Sequence, residues 1–417
     1  MISLRHAIAV VRDSVFRVGL PGSDLGRAQA MVSSFLLHLH PAKVHRDSLR
    51  PSRTFGLGLV SLYLFVILVG TGILLMFYYV PSLERAYDSM KDLQFVVSAG
   101  VLLRNTHRWA AHLMVVSVVL HMARVFFMAA YKPPREFNWT IGVCLLLLTL
   151  FLSFTGYLLP WDQLAFWAIT VGTSIASYAP VVGESFRYLL LGGTRVGQSA
   201  LLRFYVLHVA LLPALAGLLL AVHLYRVRKD GGLARPDEPE LSVIEGSEPP
   251  VAKSYGLMAL TRATGPAVGQ EPADEVLSWP HLLFREMLLF LGTCAVVLLL
   301  SILFDAPLEE VADPVRPPNP AKAPWYFLGL QELVSYSAFV GGVLVPAVLV
   351  GALLLLPFLD RKRVGVGRWF APQRRTANVA FATVLLVLLV LTVVGQSFRG
   401  PNWQWQWPWA AEAAGEH

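Results

Sequence analysis

Long apolar runs separated by short polar loops dominate the chain. A helix of about twenty apolar residues is long enough to cross the hydrocarbon of a bilayer, and seven runs are of that order. The predicted spans are residues 57–79, 107–130, 139–159, 201–226, 282–304, 340–359 and 377–396. The pattern predicts an all-α membrane protein with seven transmembrane helices.

A polar stretch near the middle divides the predicted spans into a group of four and a group of three. It is rich in proline, glycine and acidic residues. We therefore expect five segments: a cytoplasmic N-terminal segment with an amphipathic surface helix, interrupted near Pro21, then a four-span domain, a cytoplasmic linker, a three-span domain and a tail. Their predicted bounds are 1–54, 55–228, 229–278, 279–400 and 401–417.

Composition agrees with the membrane prediction. Only 15% of the residues are charged, against about 25% in a typical soluble domain. The net charge of +7 does not indicate nucleic acid, because the basic residues lie in alternating loops. The two cysteines, Cys144 and Cys294, lie inside spans without metal-ligand spacing, so no disulfide framework is expected. Residues 1–50 contain no compact apolar core, and we expect no cleavable signal peptide.

The basic loops also predict the orientation. Arginine and lysine are concentrated in residues 1–53 and in the loops after the second, fourth and sixth spans. Such loops face the cytoplasm by the positive-inside rule. The N-terminus is thus expected in the cytoplasm and the C-terminus on the periplasmic side, where "WQWQWPW" resembles an interfacial tryptophan belt.

Histidines inside the spans are the first indication of chemistry, because polar groups at that depth usually face a cavity, a partner or a cofactor. In a helix, the fourteen residues from His107 to His121 bring the two side chains within roughly 40° of each other, about 21 Å apart along the axis. The fifteen residues from His208 to His223 leave about 60°. His112 is rotated by about 140° from His107, and we interpret it as a helix–helix contact.

The second and fourth spans run in the same direction, so their histidines meet at matching depths. Neutral imidazole is a good iron ligand, and axial histidine is a usual way to hold haem. The spacing therefore predicts two bis-histidine b-type haems, bound without covalent attachment. Hydrogen bonds between helices or a proton path are the alternative use of such histidines.

Neighbouring residues fit the haem interpretation. Arg104 and Arg108 flank His107, and Arg124 lies one turn beyond His121, where haem propionates need counter-charges. Interfacial arginines also extend toward the lipid headgroups without any such role. Glycines in the first and third spans allow a flat porphyrin to approach the backbone, although small residues also serve plain helix packing; they are Gly72, Gly142 and Gly156.

Several ordered motifs resemble cytochrome b of the cytochrome bc complexes, the quinol–cytochrome c reductases. They are "LRNTHRWAAHLMVVSVVLHMARVF", "TGYLLPWDQLAFWA", "GGTRVGQSALLRFYVLHVALLP", "HLYRVRKDGG" and "APWYFLGLQEL". The resemblance covers about residues 30–400. The fifteen-residue histidine interval and the three-span second half are similar to the photosynthetic-type version, in which the two halves are separate polypeptides; here they are fused.

The resemblance implies a mechanism and partners. Quinol is oxidised near the outer face, giving one electron to a Rieske iron–sulfur protein and one across two haems to a quinone on the cytoplasmic side, with proton translocation. A c-type cytochrome, a homodimeric complex and a bacterial cytoplasmic membrane are implied as well. By carry-over, His107 with His208 holds the outer haem and His121 with His223 the inner one.

The quinone sites are also assigned by resemblance. Tyr157, Trp325 and Tyr326 are the candidates for the wall of the outer quinol pocket. Arg228 corresponds to a basic residue of the inner quinone site, and further residues expected nearby are Lys229, Asp230, His281 and Arg285.

Two departures from the family pattern change the expectation. The family's Pro-Glu-Trp-Tyr motif has a proton-accepting glutamate, whereas here Pro324 occupies that position. We expect Glu332 to replace it, with a pKa raised by desolvation, and Asp162 is the second candidate. Photosynthetic-type members attach a third haem through a cysteine, and the matching residue is Gly56, so no covalent haem is expected.

Two other functions remain as alternatives. A di-haem membrane anchor that conducts electrons linearly between quinone and a periplasmic partner would keep the four histidines, but it needs neither "PWDQ" nor "PWYF". A transporter with a histidine proton relay would carry broken helices or inverted repeats.

Overall fold

A computed structural model describes residues 3–15, 21–34, 37–231 and 275–409. Most of the predicted 229–278 linker and the end of the predicted 401–417 tail lie outside these residues. Within the described ranges, seven helices are long and apolar enough to cross a membrane. The predicted all-α fold with seven spans is confirmed.

The fold contains fifteen described α-helices and a few short turns. The helices are α1 (Leu4–Val15), α2 (Asp24–Ser33), α3 (Pro51–Thr54), α4 (Leu57–Met76), α5 (Ala86–Phe95), α6 (Gly100–Phe127), α7 (Glu136–Tyr157), α8 (Gln163–Ser177), α9 (Gly183–Leu191), α10 (Gln198–Val206), α11 (Leu212–Asp230), α12 (Ser278–Leu303), α13 (Trp325–Tyr336), α14 (Val345–Leu359) and α15 (Arg375–Ser397). The π turns Leu207–Leu211 and Val340–Leu344 precede α11 and α14, and 3₁₀ turns occupy Leu37–Leu39, Arg46–Leu49, Pro372–Arg374 and Pro401–Trp403.

Helix ends follow local polar and backbone signals more closely than the limits of the apolar runs. α6 begins at Gly100, before the predicted 107, after Ala99 in the left-handed region (φ 59°). α8 begins where the Asp162 side chain accepts a hydrogen bond from the Ala165 N–H, the usual role of an aspartate N-cap. α11 ends at Asp230, and the following Gly231 has a φ of 74°, which suits glycine.

The four-span half is a bundle in which α4 packs on α6 and α7 packs on α11, with α6 also against α7. From the second half, α12 packs on α4 and α6, α14 packs on α7, and α15 packs on α13. A small buried cluster of Leu64, Ala110 and Val297 marks the junction of α4, α6 and α12. The predicted arrangement of four helices plus three is thus observed.

Hydrogen bonds to main-chain oxygens tie the start of α6 to the segment after α12. The Arg104 guanidinium donates to the carbonyls of Ala306 (2.8 Å) and Pro307 (2.6 Å). Asn105 donates to the Ser301 carbonyl at 2.9 Å and accepts the Ala306 N–H at 2.8 Å. These groups are buried, so each bond also satisfies a donor that would be costly to leave unpaired.

A second junction lies beyond the other end of α6, where a buried lysine and arginine share one carboxylate. Lys132 Nζ lies 2.9 Å from Asp360 Oδ1, and the Tyr131 hydroxyl donates to Asp360 Oδ2 at 2.5 Å. Arg374 donates to the Tyr131 hydroxyl at 2.6 Å and to the Phe126 carbonyl at 2.9 Å. The two halves are therefore held together at both ends of α6.

The N-terminal segment adds a short sheet that was not predicted. Strands β1 (Lys43–His45) and β2 (Glu275–Leu277) pair antiparallel, with Lys43 opposite Leu277. This pairing fixes the N-terminal segment to the beginning of α12. The amphipathic segment predicted around Pro21 contains two helices, α1 and α2, and α1 exposes Leu4 and Val11.

Candidate functional site

Four histidines form two facing pairs inside the four-helix bundle. The ring centroids of His107 and His208 are 6.2 Å apart, and those of His121 and His223 are 6.4 Å apart. The pairs come from α6 and the Gln198–Asp230 helix. The structure thus brings together the two pairs that the spacing predicts. The two ends of the site are called the His107 end and the His121 end below.

A π turn explains how unequal histidine intervals produce matching pairs. His208 lies in Leu207–Leu211. A π turn accommodates one residue more than an α turn, so the fifteen residues to His223 wind as fourteen would in a regular helix. The rotation then approaches the roughly 40° between His107 and His121, in place of the roughly 60° predicted.

Four glycines of α4 and α7 face the four rings, one each. A Cβ added to the glycine would lie 3.4 Å from the ring at Gly72 and His107, 3.1 Å at Gly58 and His121, 2.5 Å at Gly156 and His208, and 3.8 Å at Gly142 and His223. A side chain at Gly156 or Gly58 would push against the ring, whereas one at Gly72 or Gly142 would occupy the space beside it at ordinary contact distance. Gly58 was missed by sequence reasoning, although its fourteen-residue distance from Gly72 repeats that of Gly142 and Gly156.

The ring hydrogen bonds leave one nitrogen of each His107-end imidazole for a ligand. Nδ1 of His107 lies 2.9 Å from the Thr71 hydroxyl, and Nδ1 of His208 lies 3.1 Å from the Leu152 carbonyl. Metal-binding histidines typically donate their second nitrogen in this way. Among the described residues no group of three metal-ligating side chains occurs. Two facing imidazoles in each pair are the protein ligands that a bis-histidine haem requires.

The distances agree with that fit. Two metal–imidazole bonds of about 2.0–2.1 Å in line would separate the ring centroids by roughly 6 Å. A cavity of about 1620 Å³ lies along both pairs. Ligand pockets usually hold about 300–1,000 Å³, so this cavity has room for more than one occupant. The four histidines and the glycine-made space fit two haems.

The predicted arginines all line this cavity. They are Arg104, Arg108, Arg124 and Arg228. Arg104 is also bound to the main chain of the second half, as described above, so its position does not depend on a haem propionate. The counter-charge roles remain predictions.

Aromatic residues form part of the His107 end. Tyr157 and Tyr326 line the large cavity. Burial raises the pKa of Tyr326 to about 12, so the phenol is neutral at neutral pH. Trp325 does not line that cavity; its indole N–H donates to His112 Nδ1 at 2.8 Å. His112 therefore connects α6 to α13.

Glu332 lies in a buried ion pair outside the large cavity. It is fully buried, and Arg399 binds both its carboxylate oxygens. The Trp403 indole donates to it at 2.9 Å and the Tyr336 hydroxyl at 3.1 Å. Burial alone would raise the pKa of Glu332, but these hydrogen bonds outweigh burial and the pKa is lowered. The predicted raised pKa is wrong, because Arg399 folds back from the end of α15.

Asp162, and not Glu332, is the buried carboxyl group whose pKa is raised by desolvation. It lines the cavity and is 7% exposed. Burial raises its pKa, although the N–H groups of Ala165 and Glu309 donate to it at 2.9 and 3.3 Å. Glu309, which sequence reasoning did not single out, lines the cavity beside it.

At the His121 end, Arg228, Lys229 and Asp230 line the cavity, whereas His281 and Arg285 do not. Unpredicted residues line it as well, among them His40 and Glu286. Their sequence signal is weak, since one lies in the N-terminal segment and the other far along the chain.

Two family models match the chain. "Cytochrome b/b6/petB" matches residues 46–231, and "Cytochrome b(C-terminal)/b6/petD" matches residues 311–409. Together they span the four-helix bundle and most of the second half.

Individual proteins are similar over long stretches. Cytochrome b6 of Heliomicrobium gestii is 43% identical over 196 residues, covering 46% of this chain and 92% of that protein. The cytochrome bc complex cytochrome b subunit of Chlorobaculum thiosulfatiphilum is 36% identical over 311 residues, covering 73% of this chain and 66% of that protein. A chain of the solved structure "Hyperthermophilic respiratory Complex III" aligns with a TM-score of 0.72 and 26% identity, over 96% of this chain and 93% of that one.

Proposed function

The chain belongs to the cytochrome b family of cytochrome bc complexes, with the N- and C-terminal family domains in one polypeptide, and on that premise we propose that it is the di-haem subunit of a bacterial quinol–cytochrome c oxidoreductase. The observation that supports this most is the double histidine pair along one cavity. When bound, two haems supply a one-electron path between the two ends of that cavity. The His107 end is assigned to the periplasmic side and the His121 end to the cytoplasmic side.

The residues of the chain hold and position these groups. The four histidines would hold the two haems, and the facing glycines, including Gly72 and Gly156, leave room beside the rings. Arg108 and Arg124 balance negative groups at the two ends of the site, with Arg104 close to Arg108. Arg228 lines the same cavity and is assigned to the quinone site at the His121 end.

Quinol oxidation is assigned to the His107 end. Tyr157 and Tyr326 form the wall of the quinol pocket, while Trp325 orients His112 by its hydrogen bond. Asp162 accepts the quinol proton, because it is buried, lines the cavity and has a raised pKa. The sequence favours Glu332 for this base, but its ion pair with Arg399 indicates a structural role.

The partners are those implied by the cytochrome bc family. Quinol gives up two electrons and two protons, and in the proposed reaction one of the electrons enters the path through the cavity. A Rieske iron–sulfur protein takes the other and passes it to a c-type cytochrome. Proton release outside and uptake inside then translocate protons across the lipid membrane. We further propose a homodimeric complex, with the N-terminus in the cytoplasm and the C-terminus in the periplasm.

An oxidant pulse tests bifurcation against linear conduction. Membranes containing the complex are treated with an inhibitor of the cytoplasmic quinone site, and the b-haem absorbance is followed after a ferricyanide pulse. Transient reduction of the b haems by an oxidant supports the proposal. If the haems only become oxidised, the chain conducts electrons linearly, and the di-haem anchor is the better assignment.

A further inference from the structure

A histidine–carboxylate pair lies at the His121 end of the cavity. His40 Nε2 is 3.1 Å from Glu286 Oε2, and both residues line the cavity. The side chain of His40 is 25% exposed and that of Glu286 is 13% exposed. One partner comes from the N-terminal segment and the other from α12, and the β1–β2 pairing keeps these two parts of the chain together.

The hydrogen bonds indicate a protonated imidazole. His40 Nδ1 lies 3.3 Å from the Leu37 carbonyl, which can only accept. Nε2 faces a carboxylate, so both ring nitrogens act as donors, as they do only in the imidazolium form. The hydrogen bond to Glu286 raises the pKa of His40, while burial and the charge of Arg228 oppose that effect.

Other charged and titratable groups face this part of the cavity from each neighbouring element. The Tyr63 hydroxyl of α4 donates to the Glu286 carbonyl at 3.2 Å. The charged and titratable residues that line the cavity from these elements are Asp24 from α2, Lys43, His45 and Glu275 from the sheet, Arg124 from α6, Arg135 before α7, and Arg226, Arg228, Lys229 and Asp230 from α11. His40 and Glu286 are thus a hydrogen-bonded donor and carboxylate acceptor among mainly basic neighbours.

We propose that His40 supplies the protons for quinone reduction at the His121 end and acts through Glu286; this rests on the proposed function. A quinone becomes quinol by gaining two electrons and two protons. The electrons arrive singly from the haem held by His121 and His223. For each proton, the His40 Nε2–H bond breaks and the proton passes to a Glu286 oxygen, an O–H bond forms on the reduced quinone as Glu286 gives that proton up and is a carboxylate again, and cytoplasmic water reprotonates the imidazole. Two such rounds complete the quinol.

The test replaces His40 by glutamine and compares His38→Gln. Glutamine keeps a donor and an acceptor but does not titrate. His38 lies two residues away, its Nδ1 is near the Ser34 carbonyl at 3.2 Å, and it does not line the cavity. In the whole complex, with the outer site inhibited, the b haems are reduced by dithionite, and their reoxidation by a short-chain quinone is followed from about pH 6 to pH 9.

The wild type and His38→Gln should show reoxidation that slows as pH rises through the pKa of His40. His40→Gln should be slower by roughly a hundredfold, at the low end for general acid catalysis, and nearly independent of pH. Glu286→Gln should give the same loss. Equal rates and pH profiles for His40→Gln and His38→Gln would overturn the proposal.

An equilibrium readout complements the kinetics. The midpoint potential of the haem at the His121 end should vary with pH in the wild type and vary less in His40→Gln. If the slope of midpoint potential against pH is the same in both, haem reduction is not linked to protonation of His40. Because this test begins with chemically reduced haems, it does not require bifurcation. A negative oxidant pulse in the wild type would reject the proposed function while leaving this measurement interpretable.

Discussion

Two buried carboxyl groups of this chain have opposite surroundings, and those surroundings assign them different roles. Asp162 is near uncharged N–H donors, and burial raises its pKa. Glu332 is enclosed by Arg399, Trp403 and Tyr336, and its pKa is lowered despite burial. A carboxylate that accepts a proton must pick it up near the working pH, which favours Asp162.

Replacing Asp162 by asparagine should lower quinol oxidation by roughly a hundredfold. The wild-type rate should rise with pH as Asp162 loses its proton, and burial moves this rise above the usual range of an aspartate. In the variant that rise should disappear. Asparagine also caps helices well, so α8 should remain intact. Steady-state quinol oxidation over pH measures the effect, and a normal profile in the variant would exclude Asp162 as the base.

Replacing Glu332 by glutamine should affect stability instead. It leaves Arg399 without its buried partner, at a cost of roughly 3–5 kcal/mol. In the wild type, the contribution of this ion pair to the free energy of unfolding is fully present above the pKa of an unfolded glutamate. It is lost as pH falls through the lower pKa that Glu332 has in the folded protein. The purified variant complex should therefore unfold at a lower temperature than the wild type. The rise of the quinol oxidation rate with pH should be unchanged. If the variant lost the rise of rate with pH and kept the wild-type stability, the structural role of Glu332 would be contradicted.

At the scale of elements, the π turn at Leu207–Leu211 is what makes the fourth span match the second. Deleting Ala210, which is exposed, should convert the turn to regular α-helix and leave His208 and His223 on one face. Inserting one alanine after Ala210 should instead rotate them apart by about 100°. Haem content from the pyridine haemochrome spectrum should stay normal in the deletion and fall by about half in the insertion.

The sequence predicts the elements well where one local rule decides them. Seven apolar runs predict seven spans, because lipid requires continuous helices of a minimum length. Helix period places the two histidines of each span close to one face, and the π turn at Leu207–Leu211 completes the match between the spans. The π turn, the β1–β2 pairing and the Glu332–Arg399 contact depend on residues far apart in the chain or on backbone detail. The partner of Glu332, for example, is sixty-seven residues away, and no periodicity indicates it.

At the scale of the whole molecule, the two halves contact each other at both ends of α6 and through α14 on α7. Residues 1–231 and 275–417 expressed as separate chains should therefore assemble. We expect them to copurify from membranes with the haem content of the intact chain, because the described contacts between the halves do not need the connecting segment. A four-span half that purifies alone with both haems would show that the second half docks more weakly than these contacts indicate.

The hydrogen bonds between the halves go largely to peptide oxygens. Arg104 and Asn105 bind the carbonyls of residues 301–307, Lys132 binds that of Lys362, and Trp139 binds that of Leu353. Every amino acid carries a main-chain carbonyl, so these contacts do not require particular side chains on the residues that accept the hydrogen bonds. The side chains of the three-span half can thus change at many contact positions without loss of its binding to the four-span half. Chimaeras that join this four-span half to a distant relative's second half should assemble where conventional side-chain interfaces would not.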